Sequence, residues 1–401
     1  MVSNASRDAQ AIAYTSQYEK FVKDFPDIKV IRESVAHDEY ETKLKTYIAA
    51  AELPDAFMTK GTVLPELARD GEIMEIMSVI RSVPGWEQEY PGGVYEDFIV
   101  DEKVYAIPYQ SGVNHCIFYN VKIFTECGID EFPVTWQGFL DTIEKVKTKG
   151  YVPILMGNKE QWPLPSLFFN TVVYRYAPVE WYYNLRDNKG ANFTDSQFIK
   201  AAETLQDLVK TGAFNSDLNS IDNQQKDSVY FNGKAAMMVD GYWEVATLDM
   251  NCPKDVLDAT RIGILPAIPR EMGGTGVGGI NQAASGWGFG IKTRVNDSAQ
   301  RALADYLHYV CGSDFATTMV EVGGGPAAKP KNPDESRLSP LYRELLRHTG
   351  ASTLAPVFDV QLNAQIVDAF YSNLQDVAVG RMTAQRYAEL LQAELEATRR
   401  Q

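Results

Sequence analysis

Four cysteines and four histidines in 401 residues leave little material for a metal site. Cys116, Cys127, Cys252 and Cys311 form no C-x-x-C pair, and the histidines are scattered. A zinc centre draws three or four ligands at workable spacing, so neither a metal nor another cofactor is expected. One disulfide among the four thiols stays open. The chain lacks any run of roughly 18 apolar residues, the length a membrane-spanning helix needs. Lys and Arg do not cluster, and the formal net charge is −15. Nucleic-acid binding needs grouped cations to neutralise phosphates, so it is not expected. There is no G-x-S-x-G elbow and no H-E-x-x-H, and the Gly-rich stretch 273–279 matches neither a phosphate loop nor a dinucleotide fingerprint. Met1-Val2-Ser3-Asn4 has neither the basic region nor the apolar region of a leader.

The composition that is present, 45% apolar and 23% charged, is that of a folded globular chain, long enough for two or three domains. Helix-period and strand-period segments alternate, which predicts an α/β architecture. Helices are predicted over Tyr14–Phe25, Tyr40–Ala51 and Leu64–Arg69, then on stripes beginning at Trp136, Phe198 and Ala299, with a last stripe from Tyr387 to Leu395. Strands are predicted at 28–31, 53–58, 104–108, 116–119, 152–156, 235–239, 262–265 and 286–291. Thr194-x-x-Gln197 reads as a capping box for the helix that Gly212 closes.

The aromatic content points to chemistry. There are 21 Tyr, 18 Phe and 6 Trp. Sugars present flat C–H faces and a rim of hydroxyls, so their sites combine aromatic platforms with carboxylates and amides. Trp162, Trp181-Tyr182-Tyr183, Tyr242-Trp243-Glu244 and Trp287 sit beside such polar residues. Any one of these rings also fits a core. Glu39, Asp240 and Glu244 are the acids of interest, read as hydrogen-bond acceptors ahead of catalysts.

Several segments taken together resemble the family 1 extracellular solute-binding proteins, the group of maltose- and multiple-sugar-binding proteins of ABC importers. They are Phe25-Pro26-Asp27-Ile28-Lys29-Val30, Leu53-Pro54-Asp55-Ala56-Phe57-Met58 and Val104-Tyr105-Ala106-Ile107-Pro108-Tyr109 with Phe118-Tyr119-Asn120. Cys127-Gly128-Ile129-Asp130 through Trp136, Phe231-Asn232-Gly233-Lys234-Ala235-Ala236-Met237 and Asp240-Gly241-Tyr242-Trp243 complete the set. The resemblance runs nearly end to end. It implies a two-lobed α/β fold of the type II periplasmic-binding class, with a ligand in a central cleft and closure by hinge bending. Lobe one would be 1–111 plus 269–318 and lobe two 112–268 plus 319–401, with hinges near 107–112, 265–269 and 318–326.

It also implies a receptor, not an enzyme, that passes a carbohydrate, an oligosaccharide by expectation, to the permease subunits of an ABC transporter. Trp243 matches the tryptophan that stacks on sugar in family members. Glu244 follows it and could bond hydroxyls. Ser3, Asn4 and Asp8 match the region after the first strand. Glu39, Lys60, Tyr109, Gln110, Asn158, Trp162, Trp287 and Asp359 match ligand-facing regions. Location outside the cytoplasmic membrane follows, lipid-anchored or periplasmic, as a monomer; the leader, linker and part of the first strand would then lie outside this sequence. Cys127 stands where the family has alanine, as a small buried side chain would. Two alternatives stay open. A glycoside-acting enzyme would need two carboxylates about 5–10 Å apart. A receptor for a non-sugar solute would need an acidic site for a polyamine, or helix N-termini or Arg for an anion.

Overall fold

The computed structural model describes residues 1–4, 9–284 and 286–399. The chain forms two compact units. The first comprises 1–112, 245–250 and 284–339, and the second 113–244, 251–283 and 340–401. The chain passes between the units at 112/113, 244/245, 250/251, 283/284 and 339/340.

In the first unit the strand Trp287–Ile291 is the middle of three, antiparallel to Ala56–Lys60 and Ile107–Pro108. Its alternation explains its place. Trp287, Phe289 and Ile291 project to one face. On the other face a Cβ at Gly288 would lie 2.9 Å from the Phe98 ring and from the Ile107 carbonyl, so glycine lets those groups close over the strand. The helix Ala9–Asp24 packs on the helices Asp297–Cys311 and Ser313–Glu321. The strand expected over 28–31 does not form; Ser34–Ala36 does, parallel to Val2–Asn4. Ile31 is 83% exposed, while Ile28 and Val30 only lean on the core, so 28–31 covers the core without joining a ladder.

Glu89 ties this unit together. It accepts from the Ser313 N–H at 2.8 Å and contacts His308 Nε2 at 3.2 Å and Lys331 Nζ at 3.5 Å. Burial works to raise its pKa, but the His308 contact, the Ser313 N–H and Lys331 outweigh it and bring the group down to about 2. The unfolded value lies higher, so the stabilisation is present above about pH 4.5 and is lost as pH falls towards 2. Glu89→Gln is expected to cost about 1–2 kcal/mol at pH 7, after allowing for solvent screening. Urea unfolding at pH 7 and pH 3.5 checks this; a cost that does not shrink at the lower pH would contradict it.

The second unit is built on a sheet ordered 260–263, 116–120, 235–240, 152–155. Ala235–Asp240 is buried along its whole length, antiparallel to Cys116–Asn120 and parallel to Val152–Leu155. That burial on both faces matches its unbroken apolar run up to Asp240. Phe169, Phe198, Phe370 and Tyr387 meet ring to ring where the helices around them converge. The helix Ser196–Lys210 is closed as expected, with Gly212 at φ +75°. Its start differs from the expected capping box. Asp195, not Thr194, is the first flanking residue, and the Asp195 carboxylate serves the Trp181 indole N–H and the Asn192 N–H instead. A capping box does occur at Asp222 and Gln225. All four thiols are free, with Cys127 buried. Among the described residues no helix is long and apolar enough to cross a membrane.

Candidate ligand-binding residues and a buried charge cluster

In the second unit, the strand Ala235–Asp240 delivers the chain to Trp243. The Asp240 carboxylate accepts from its neighbour Gly241 N–H at 2.7 Å, and Tyr242 N–H donates to the Val113 carbonyl at 3.0 Å. A Cβ on Gly241 would fall 2.4 Å from the Trp243 six-membered ring, so only glycine lets the indole fold back over the turn. Trp243 is half-buried and lies 6.1 Å from Trp162, the two rings inclined at 57°. Trp162 follows Gln161, held at φ +68°. Two aromatic faces from separate segments thus meet, each partly open.

Asn158, four residues before Trp162, is fully buried. Its carbonyl accepts from Leu164 N–H and its amide donates to Asn219, so its polar groups brace the turn that presents Trp162. Asp359 is half-buried in the helix Phe358–Gln361 and accepts from the Tyr371 hydroxyl at 2.6 Å.

In the first unit, the register that sets Trp287 opposite Lys60 also sets the Lys60 ammonium 4.6 Å from the indole centroid. Lys60 pairs with Glu41 as well. Tyr40 meets the Trp287 ring edge-on at 5.5 Å. Leu44, Ile48 and Val63 complete a small pocket around this pair. Tyr109 is buried between Phe289 and Phe315, and Gln110 accepts from Gln10. Glu39 is exposed on the helix His37–Ala50. Asn4 ends the strand Val2–Asn4, and Asp8 lies outside the described residues.

Glu244 does not face outward beside Trp243. It is 3% exposed and turned into a cluster with Asp227, Asp240 and Lys226. One oxygen from each carboxylate lies within 4.8 Å of the other two, a spacing that could hold a cation. The Lys226 ammonium already supplies one: it pairs with Asp240 and lies 3.3 Å from Asp227, and its side chain is wholly buried. Burial opposes its charge, but Asp227, Asp240 and Glu244 outweigh that and hold its pKa above the ordinary lysine value. Sequence reading missed Lys226 and Asp227. The available signal was spacing: Lys226 stands four residues before buried Tyr230, on the inward stripe of the helix Asn223–Phe231.

Two α/β units, one of them carrying two partly open tryptophans at a polar turn, fit a solute-binding α/β protein. The chain belongs to the bacterial extracellular solute-binding protein family, whose model matches residues 6–292. It is 24% identical over 324 residues to the multiple sugar-binding protein of Streptococcus mutans, covering 74% of this chain and 71% of that one. Further curated relatives are matched over 58% or less of their length. A structure from work on xylan utilization by Caldanaerobius polysaccharolyticus superposes with a TM-score of 0.88 at 22% identity, covering 98% of both chains. A chitin oligosaccharide binding protein does so with a TM-score of 0.85 at 20% identity, covering 100% of this chain and 99% of the other. The fold is the type II periplasmic-binding class expected from the sequence.

Proposed function

We propose that this chain is the receptor of an ABC-type importer, that it captures a carbohydrate, an oligosaccharide, and that it hands the sugar to the membrane permease unchanged. It works outside the cytoplasmic membrane, lipid-anchored or periplasmic, as a single copy. The observation that carries the reading is the meeting of Trp162 and Trp243, two partly open indoles at a polar turn. Trp287 with Lys60 supplies a second platform and a donor, and Asp359 an acceptor. Tyr109 and Asn158 act as supports. The names of the relatives, a multiple sugar-binding protein and a chitin oligosaccharide binding protein, favour the same ligand class.

Titration with a panel of mono- and oligosaccharides, followed by intrinsic tryptophan fluorescence, tests the proposal. Saturable quenching with the sugar recovered intact is expected. Trp243→Ala is expected to weaken binding roughly 30-fold or more, since losing a buried aromatic anchor costs about 2 kcal/mol or more. A cleaved sugar would overturn the receptor reading, and silence across the panel would move the ligand to another solute class.

A further inference from the structure

We infer that Glu244 is a positioning residue that acts through a buried, shared proton: together with Lys226, Asp227 and Asp240 it clamps both flanks of Trp243. The inference rests on the sugar-receptor reading, and its test is separable from it.

Asp240 and Glu244 bracket the three residues Gly241, Tyr242 and Trp243. Both carboxyls reach the same ammonium-centred cluster, so the turn carrying the indole is fastened at its two ends. Three carboxylates and one ammonium, of which only Asp227 reaches solvent at 15% exposure, cannot all be ionised without an uncompensated negative charge. The hydrogen bonding agrees. Among the described residues Glu244 Oε1 is buried with no aligned donor and Asp227 Oδ1 has only the Lys226 ammonium, 3.3 Å away, while the two side chains lie within hydrogen-bonding reach of each other. A single proton held between the two carboxyls lets one donate to the other. Burial and the nearby Asp227 both push the Glu244 carboxyl well above the ordinary range, so the proton belongs mainly to Glu244. The other ionisable groups acting on Glu244 and its neighbours are few. Lys226 and Asp227 come from the helix Asn223–Phe231, as does Tyr230, Asp240 comes from the strand with Cys116 opposite it on the neighbouring strand, and Cys252, its thiol pushed up to about 12, follows the helix Glu244–Asn251.

The consequence is a pH limb in binding. Removal of the shared proton at alkaline pH adds a second net negative charge to the clamp and drives Glu244 from Asp227. The Trp243 turn loosens and sugar affinity falls, by roughly tenfold for each unit by which bound sugar raises the pKa of the pair. Glu244→Gln keeps a donor in place of the proton and cannot ionise.

The experiment measures sugar affinity from pH 6 to pH 10 in the wild type and E244Q, together with Trp243 emission in the sugar-free protein, assigned by difference from W243F. A wild-type alkaline decline that is absent in E244Q, matched by a pH-dependent Trp243 emission in the sugar-free wild type alone, supports the inference. Identical pH profiles, or Trp243 emission that is flat with pH in both proteins, overturn it. If no sugar binds at all, the receptor reading fails, while the emission titration still decides the clamp.

Discussion

Lys226→Met is expected to destabilise the protein by about 3–5 kcal/mol, among the largest effects any single surface-sparing change would have here. Methionine is an unbranched side chain of similar length, so little packing is lost. What is lost is the one cation in the cluster. Lys226 is wholly buried, Asp240 is 1% exposed and Glu244 3%, so at these two carboxyls water cannot take over the work of the ammonium, and only Asp227, 15% exposed, has solvent within reach. The cost arises from stranded carboxylates, which must take up protons or open the fold. Burial already raises the Asp227 carboxyl even with the ammonium in place, so its ionised form is the first to suffer when Lys226 goes. Urea unfolding at pH 7 gives the number. Neutralising the acids as well, in K226M/D227N/D240N, is expected to recover part of the loss, because matched removal of both partners leaves no orphaned charge. K226M of wild-type stability would show the cluster to be uncharged. A triple variant no better than the single would show that shape, not charge, holds the site.

How much of this was legible beforehand varies with the distance over which each feature is encoded. The stretch from Phe231 to Trp243 is contiguous, so its strand, its turn and its half-buried indole could be read from neighbouring letters. The pairing of Trp162 with Trp243 could not, since 81 positions separate them and only the sheet order brings their segments together. Glu244 was read as a sugar contact because it adjoins Trp243. Adjacency does not fix direction: a helix begins at Glu244 and turns that side chain inward. Lys226 and Asp227 lie in Asn223–Phe231, a helix so polar that its charges look solvated, and only the four-residue step to Tyr230 marks Lys226 as inward. Thr194 and Asp195 both fit a helix start, and the choice was made by distant partners, the Trp181 indole and Asn192, that occupy Asp195. Hydrophobicity alone overcalled 28–31, where apolar side chains rest on the core from outside any ladder.

His115 is expected to make the fold acid-labile well above the range in which carboxylates titrate. The ring is wholly buried, its Nδ1 bonds the Leu167 carbonyl at 2.6 Å, and its Nε2 meets no partner among the described residues. The neutral tautomer with the proton on Nδ1 suits this place, and a second proton on Nε2 would be a buried charge without an acceptor. Burial lowers the pKa to about 3; the Leu167 carbonyl offsets a little of this and Arg175 adds repulsion. Above the ordinary histidine value of about 6.5 both folded and unfolded chains are neutral at this residue, and it costs nothing. Below that value the unfolded chain takes a proton that the folded chain refuses, so stability falls by about 1.4 kcal/mol per pH unit until pH nears 3. At pH 5 the loss from this group alone is about 2 kcal/mol. His115→Asn can still donate to the Leu167 carbonyl but does not titrate. It is expected to begin about 1–2 kcal/mol less stable at pH 7.5, through the space left by the smaller side chain. Its stability should then decline more gently, so that the two curves converge or cross between pH 6.5 and 5. The Glu89 contribution is lost only below about pH 4.5, which keeps the two effects apart. Denaturant unfolding of both proteins across that window decides the matter: parallel curves would mean that the buried imidazole accepts its proton inside the fold, and that Nε2 is served by a group that moves to meet it.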